Sequence, residues 1–67
     1  MTVARVTTIT AASSSSFDDA VRSGLERATK TLRGITGLRV TEHKAKVDHG
    51  RIAEYRVTME MTFILED

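Results

Sequence analysis

The sequence predicts an α+β domain of order β-α-β-β, a three-stranded antiparallel sheet with one helix packed on one face. Three observations carry this. Clean apolar–polar alternation runs from Ala53 to Phe63, with Leu65 continuing the apolar set, a long strand. Apolar residues at three- and four-residue steps mark a helix in the first half. His49-Gly50 separates that long strand from an earlier alternating run, which makes a hairpin.

The elements follow in order. Residues 3–11 are rich in Val, Ile and Thr and suit a strand. Ser13 to Ser16 form a short polar patch leading into the helix. Phe17, Ala20, Val21, Gly24, Leu25, Ala28 and Leu32 lie on one helical stripe. Ser16 is the expected N-cap, with Asp19 three residues on in a variant of the capping box. Asp18 and Asp19 suit the positive end of the helix dipole, and Lys30 and Arg33 the negative end. Glu26 and Lys30 are spaced for an i,i+4 pair. Gly34 is the expected stop. Gly24 sits on the apolar stripe, where glycine costs about 1 kcal/mol against alanine. Its place there predicts that another element packs closely against it.

The hairpin register follows from the faces. With His49-Gly50 as a two-residue turn, Asp48 opposes Arg51, Leu38 faces Met61 and Val40 faces Met59. On the other face Arg39 opposes Glu60, Thr41 opposes Thr58 and His43 opposes Arg56. A slip of one residue would set Arg39 against Met59 and mix the faces. The helix then covers one face of the sheet. Gly37, Arg39, Thr41, His43, Arg56, Thr58, Glu60 and Thr62 are left on the other.

Length and composition bound the function. Sixty-seven residues, 40% apolar and including seven alanines, make a single domain, residues 1–67, with a small core. Such a chain hides only about 60% of the surface its unfolded form exposes. Domains of this size are commonly reinforced by disulfides, a structural metal or partner subunits. With no cysteine, disulfides, thiolate metal sites and cysteine nucleophiles are excluded. Two histidines do not fill a structural zinc site without carboxylates. Self-association is the remaining route, and the second sheet face is the expected intersubunit surface or cavity. A net charge of +1 argues against a general nucleic-acid binder. No apolar run approaches the roughly 20 residues of a membrane span. Residues 1–5 lack the pattern of a signal peptide. The expectation is a soluble, cytoplasmic protein that contacts neither nucleic acid nor membrane.

No catalytic constellation stands out. The glycines at 24, 34, 37 and 50 form no dinucleotide or phosphate-loop fingerprint. Ser13 to Ser16 have no histidine placed in sequence to activate them. His43 and His49 read as exposed and unliganded, and Met59 and Met61 as core. The reading is a protein that is not an enzyme.

Across nearly its whole length the chain resembles the dodecins. The resemblance is carried by Val3-Ala4-Arg5-Val6, by Ser13 leading into Phe17-Asp18-Asp19-Ala20-Val21, by Leu25-Glu26-Arg27-Ala28 and by Thr31-Leu32-Arg33. It continues through Tyr55-Arg56-Val57-Thr58-Met59-Glu60-Met61-Thr62-Phe63 and ends in Leu65-Glu66. No one of these segments is specific alone; their order, spacing and total length are. The resemblance implies a hollow homododecamer of β-α-β-β subunits. It also implies a non-enzymatic role in storing or buffering flavins, riboflavin or its phosphate FMN, bound as stacked pairs between subunits.

In flavin-binding dodecins a tryptophan early in the second strand stacks on the ring, and a glutamine in the third strand hydrogen-bonds its edge. The matching positions here are Gly37 and Arg56. Glycine offers no ring. Arginine donates but does not accept, although its guanidinium can stack on a ring or pair with a phosphate. Lys44 is a second candidate for the phosphate. Three readings stay open: a weakened flavin site using Gly37, Arg56 and Lys44; a flavin-free dodecin, of which one type holds calcium; and a purely structural or partner-binding shell. Asp18, Asp19, Glu42 and Glu60 are the acidic candidates for a cation, and none fits a calcium-loop pattern.

Overall fold

The computed structural model describes residues 2–65. Strand β1 (Val3–Ser13) is followed by helix α1 (Phe17–Thr29), strand β2 (Ile35–Asp48) and strand β3 (Arg51–Leu65). The strands form one antiparallel sheet in the order β1-β3-β2. The predicted β-α-β-β order and single helix are both present. Glu66, the last residue of the resemblance, lies outside the described residues, as do Met1 and Asp67.

β3 takes the centre because its alternation is the cleanest. Val57, Met59 and Met61 are completely buried. They pair with Ala11, Ile9 and Thr7 of β1 on one side. On the other side Met59 and Met61 face Val40 and Leu38 of β2. Helix α1 closes this layer with Ala20, Gly24 and Ala28. Its stripe is small-sided, so helix and sheet approach closely. A Cβ added to Gly24 would overlap the Met59 methyl and lie 3.1 Å from Ala11 Cβ. That is the close packing the glycine predicts.

The helix start follows the sequence signals. Ser16 Oγ accepts from the Asp19 backbone N–H at 2.9 Å. The Asp19 carboxylate does not complete a capping box. It accepts a 2.6 Å hydrogen bond from Ser13 Oγ, and that oxygen in turn accepts from the Ser15 N–H. The serine patch thus ties the end of β1 to the first turn of α1. The helix ends at Thr29 with Lys30 as C-cap, short of Gly34. Leu32 still packs on the core, its N–H donating to Ala28 O at 2.8 Å. Glu26 and Lys30 form no ion pair among the described residues.

The hairpin turns at His49-Gly50, both with positive φ (52° and 74°), as a two-residue type I′ turn requires. Asp48 faces Arg51 as the faces predict. Between the turn and the core the predicted register is corrected. Extra residues at Thr41 in β2 and Ala53 in β3 shift the pairing by one and then restore it. Within that segment Glu42 opposes Thr58, His43 opposes Val57, Lys44 opposes Arg56 and Ala45 opposes Tyr55. A further irregularity falls at Thr36, between the pairs Ile35–Phe63 and Gly37–Thr62. Such bulges re-aim side chains along a strand.

The hairpin runs well past the helix. The radius of gyration is 13.8 Å and the long axis 52 Å. A compact chain of this length would have a radius near 11 Å. Residues 41–53 are all exposed. The core alone therefore leaves a long arm and a whole sheet face uncovered.

Candidate functional site

The uncovered face of the sheet is built by the residues of β3 that alternate with its buried ones. Arg56, Thr58, Glu60 and Thr62 stand there in a row. Because directly paired residues share a face, the register assigns their neighbours. Val6, Thr8, Thr10 and Ala12 come from β1, and Gly37, Arg39, Glu42 and Lys44 from β2.

Hydrogen bonds order the middle of this face. Arg39 meets Glu60 at 2.6 Å. Thr10 and Thr58 hydroxyls lie 3.2 Å apart, and Thr41 Oγ1 donates to the Thr58 carbonyl at 3.1 Å. The last contact anchors the bulged residue. The Arg39 side chain is 75% exposed, so this pair orients side chains more than it stabilises them. At the arm end, Arg56 Nε donates to Glu54. Lys44 faces Arg56 directly, and Lys46 faces Glu54.

His43 is not on this face, contrary to the alternation. Opposite Val57 it points to the helix side. Its ring meets Phe17 edge-on at 5.0 Å between centroids, and Tyr55 meets Phe17 the same way at 5.0 Å. In exchange the bulge delivers Glu42 and Lys44 to the open face. The sequence pattern missed that exchange, because 41–46 contains no large apolar residue to mark a side.

The three candidate flavin residues, Gly37, Lys44 and Arg56, therefore share the open face but not one spot. Gly37 opposes Thr62, six residues along β3 from Arg56, about 20 Å away at a strand rise of ~3.3 Å per residue. A Cβ at Gly37 would meet nothing within 4 Å. Phe17 and Tyr55 face the helix side, and so does Phe63, which alternates with Met61 and pairs with Ile35. The open face thus carries no aromatic ring among the described residues. What it offers is hydroxyls, guanidinium groups, the Glu42 and Glu60 carboxylates and one ammonium–guanidinium juxtaposition.

The acidic candidates are not gathered. Asp18 and Asp19 stand at the helix start, while Glu42 and Glu60 are on the far side of the sheet. Among the described residues no three metal-ligating side chains come together. No helix there is long and apolar enough to cross a membrane.

A two-layer α+β protein with one ordered polar face and a long uncovered arm is the class these features define. The dodecin family model matches residues 3–66. The dodecin from Streptomyces davaonensis is 35% identical, with a TM-score of 0.93 over 98% of this chain and 97% of its own. The dodecin from Streptomyces coelicolor is 32% identical, with a TM-score of 0.94 over 98% and 94%. A calcium-chelating antigen of Mycobacterium tuberculosis, calcium dodecin, is 28% identical, with a TM-score of 0.83 over 96% and 91%. No curated protein matches the chain. The chain belongs to the dodecin family. Dodecins are small non-enzymatic flavin-binding proteins, and dodecamer assembly is a property of the family.

Proposed function

We propose that the chain assembles as a homododecamer that binds and stores a flavin without turning it over, using the open sheet face. One observation carries the reading: Gly37, Lys44 and Arg56, the positions at or near the family's flavin contacts, all stand on that face. Gly37 and Arg56 are too far apart to close on one ring within a protomer. The site therefore combines subunits.

The residue chemistry sets the preference. Stacking on an aromatic is worth about 1–3 kcal/mol per base in nucleic-acid complexes, and a flavin ring at Gly37 forgoes it. Lys44 and Arg56 supply two adjacent positive charges, which favour an anionic phosphate. FMN is then the preferred flavin over riboflavin. Titrating each flavin with the protein tests this. Fluorescence quenching at the stoichiometry of stacked pairs, stronger for FMN, is expected. Unchanged fluorescence at high protein excess overturns it.

A second reading is a flavin-free shell, structural or holding a divalent cation such as calcium. It is favoured by the absence of a ring among the described residues of the open face. Glu42 and Glu60 of neighbouring subunits would be its acidic groups. A melting temperature that rises with calcium and falls with chelator supports the cation form. A temperature insensitive to both removes it.

A further inference from the structure

Gly37 has a planar neighbour on the open face. Arg39 stands two residues along β2 on the same side, because Gly37 opposes Thr62 and Arg39 opposes Glu60. Two residues of strand span roughly 6.6 Å. That is about twice the ~3.5 Å separation at which carbon atoms of flat groups touch. A flat ring entering the space above Gly37 therefore comes within stacking reach of the Arg39 side chain.

The space is real and has a polar floor. A Cβ at Gly37 would meet nothing within 4 Å. The irregularity at Thr36 pairs Ile35 with Phe63 on the helix side, so Ile35 does not fill the slot from its other end. Thr62 lies directly across from Gly37, one strand spacing of ~4.8 Å away. Its hydroxyl can donate to or accept from the polar edge of a heteroaromatic ring.

Arg39 is held in a pose that suits stacking. Its Nη2 meets Glu60 Oε1 at 2.6 Å, and its side chain is 75% exposed. The carboxylate engages the edge of the guanidinium and leaves the flat faces free. A guanidinium stacks on aromatic faces through both its plane and its charge. Orientation by Glu60 reduces the rotamer freedom lost when a ring arrives. Arg56 does not serve at this spot: it is engaged by Glu54 and lies about 20 Å along the sheet from Gly37.

We infer that Arg39, oriented by Glu60, is the stacking wall of the flavin ring at Gly37. The inference rests on the flavin reading proposed above and deepens it. In a stacked pair each ring lays one face on its companion, and the guanidinium covers the other. The contact is to the ring, which riboflavin and FMN share. Arg39 therefore strengthens both flavins alike, whereas Lys44 and Arg56 favour the phosphate of FMN.

Parallel titrations of riboflavin and FMN with the assembled protein test this. Arg39→Ala should weaken both by the same factor, about two- to fivefold, the worth of an exposed cation–π contact. Arg39→Trp should restore riboflavin affinity to at least the wild-type level, because a ring replaces the flat face. Arg39→Lys keeps the charge and the stem without the plane, and should weaken both flavins as alanine does. Light scattering and circular dichroism confirm that each variant assembles and folds, and the lysine variant answers the question if alanine disturbs assembly. A loss confined to FMN assigns Arg39 to the phosphate and overturns the stacking contact. Wild-type affinity in the lysine variant, or a tryptophan variant as weak as alanine, overturns it too. In each of these cases the flavin reading stands, since the wild type still quenches both flavins. A wild type that quenches neither at high protein excess sinks the flavin reading and the stacking wall together.

Discussion

Lys44 stands directly across the β2–β3 ladder from Arg56, on the face the helix leaves open. Like charges in direct opposition cost a strand pair stability. Glu54 engages Arg56 but leaves Lys44 without an ion-pair partner among the described residues. Replacing it by glutamate should therefore stabilise the fold by about 0.2–1 kcal/mol. The same change should weaken FMN binding more than riboflavin binding, because only FMN brings a phosphate. Urea unfolding and parallel flavin titrations check the two effects. A variant that loses both flavins equally would place the phosphate elsewhere.

Gly24 is expected to resist the usual benefit of alanine in a helix. Alanine gains about 1 kcal/mol in propensity. Its Cβ overlaps the Met59 methyl and crowds Ala11. Overpacking a core typically costs about 1–3 kcal/mol. Met59 is wholly buried, so its methyl has little space to yield. Gly24→Ala should lower the melting temperature. Combining it with Met59→Ala should cost less than the two single changes summed.

Gly37→Trp should leave protomer stability within about 0.5 kcal/mol, as for an uncrowded surface change. No atom lies within 4 Å of the new Cβ. If the open face is the flavin site, flavin affinity should rise by the worth of one stacking contact, about 1–3 kcal/mol. Fluorescence titration reads the gain. A folded, assembled variant with unchanged affinity would show that position 37 does not line the ring.

His49 adopts φ 52° in the turn, a region where asparagine is more at ease than histidine. His49→Asn should hold or slightly raise stability. His49→Val, β-branched at positive φ, should cost about 1–3 kcal/mol. Thermal melts of both variants measure the difference. Equal melts would mean the arm adds nothing to the cooperative unit.

Much of the fold was legible along the chain. The Tyr55–Leu65 alternation marks the strand that becomes central. The Phe17–Ala28 stripe marks the helix, Ser16 its cap and His49-Gly50 the turn. Each is a local signal whose physics acts within a few residues. Of the site, the shared open face of Gly37 and Arg56 was legible through the pairs Leu38–Met61 and Arg39–Glu60. The helix end was not. Lys30 and Thr31 bend back toward Arg27 and Ala28 carbonyls before Gly34 is reached.

The sequence by itself determined the element order, the buried face of β3 and the close helix–sheet contact at Gly24. Those follow from periodicity and from the cost of exposing large apolar groups. Only the tertiary structure decided which side of β2 His43 and Lys44 occupy. From Thr41 to Lys46 the residues are polar or small, so either register exposes nearly the same apolar area. Contacts distant in sequence break that tie. Phe17 at the head of the helix meets the His43 and Tyr55 rings, and Thr41 anchors its bulge on the Thr58 carbonyl. The result turns His43 to the helix side, where it stays exposed, and sets Lys44 beside Arg56.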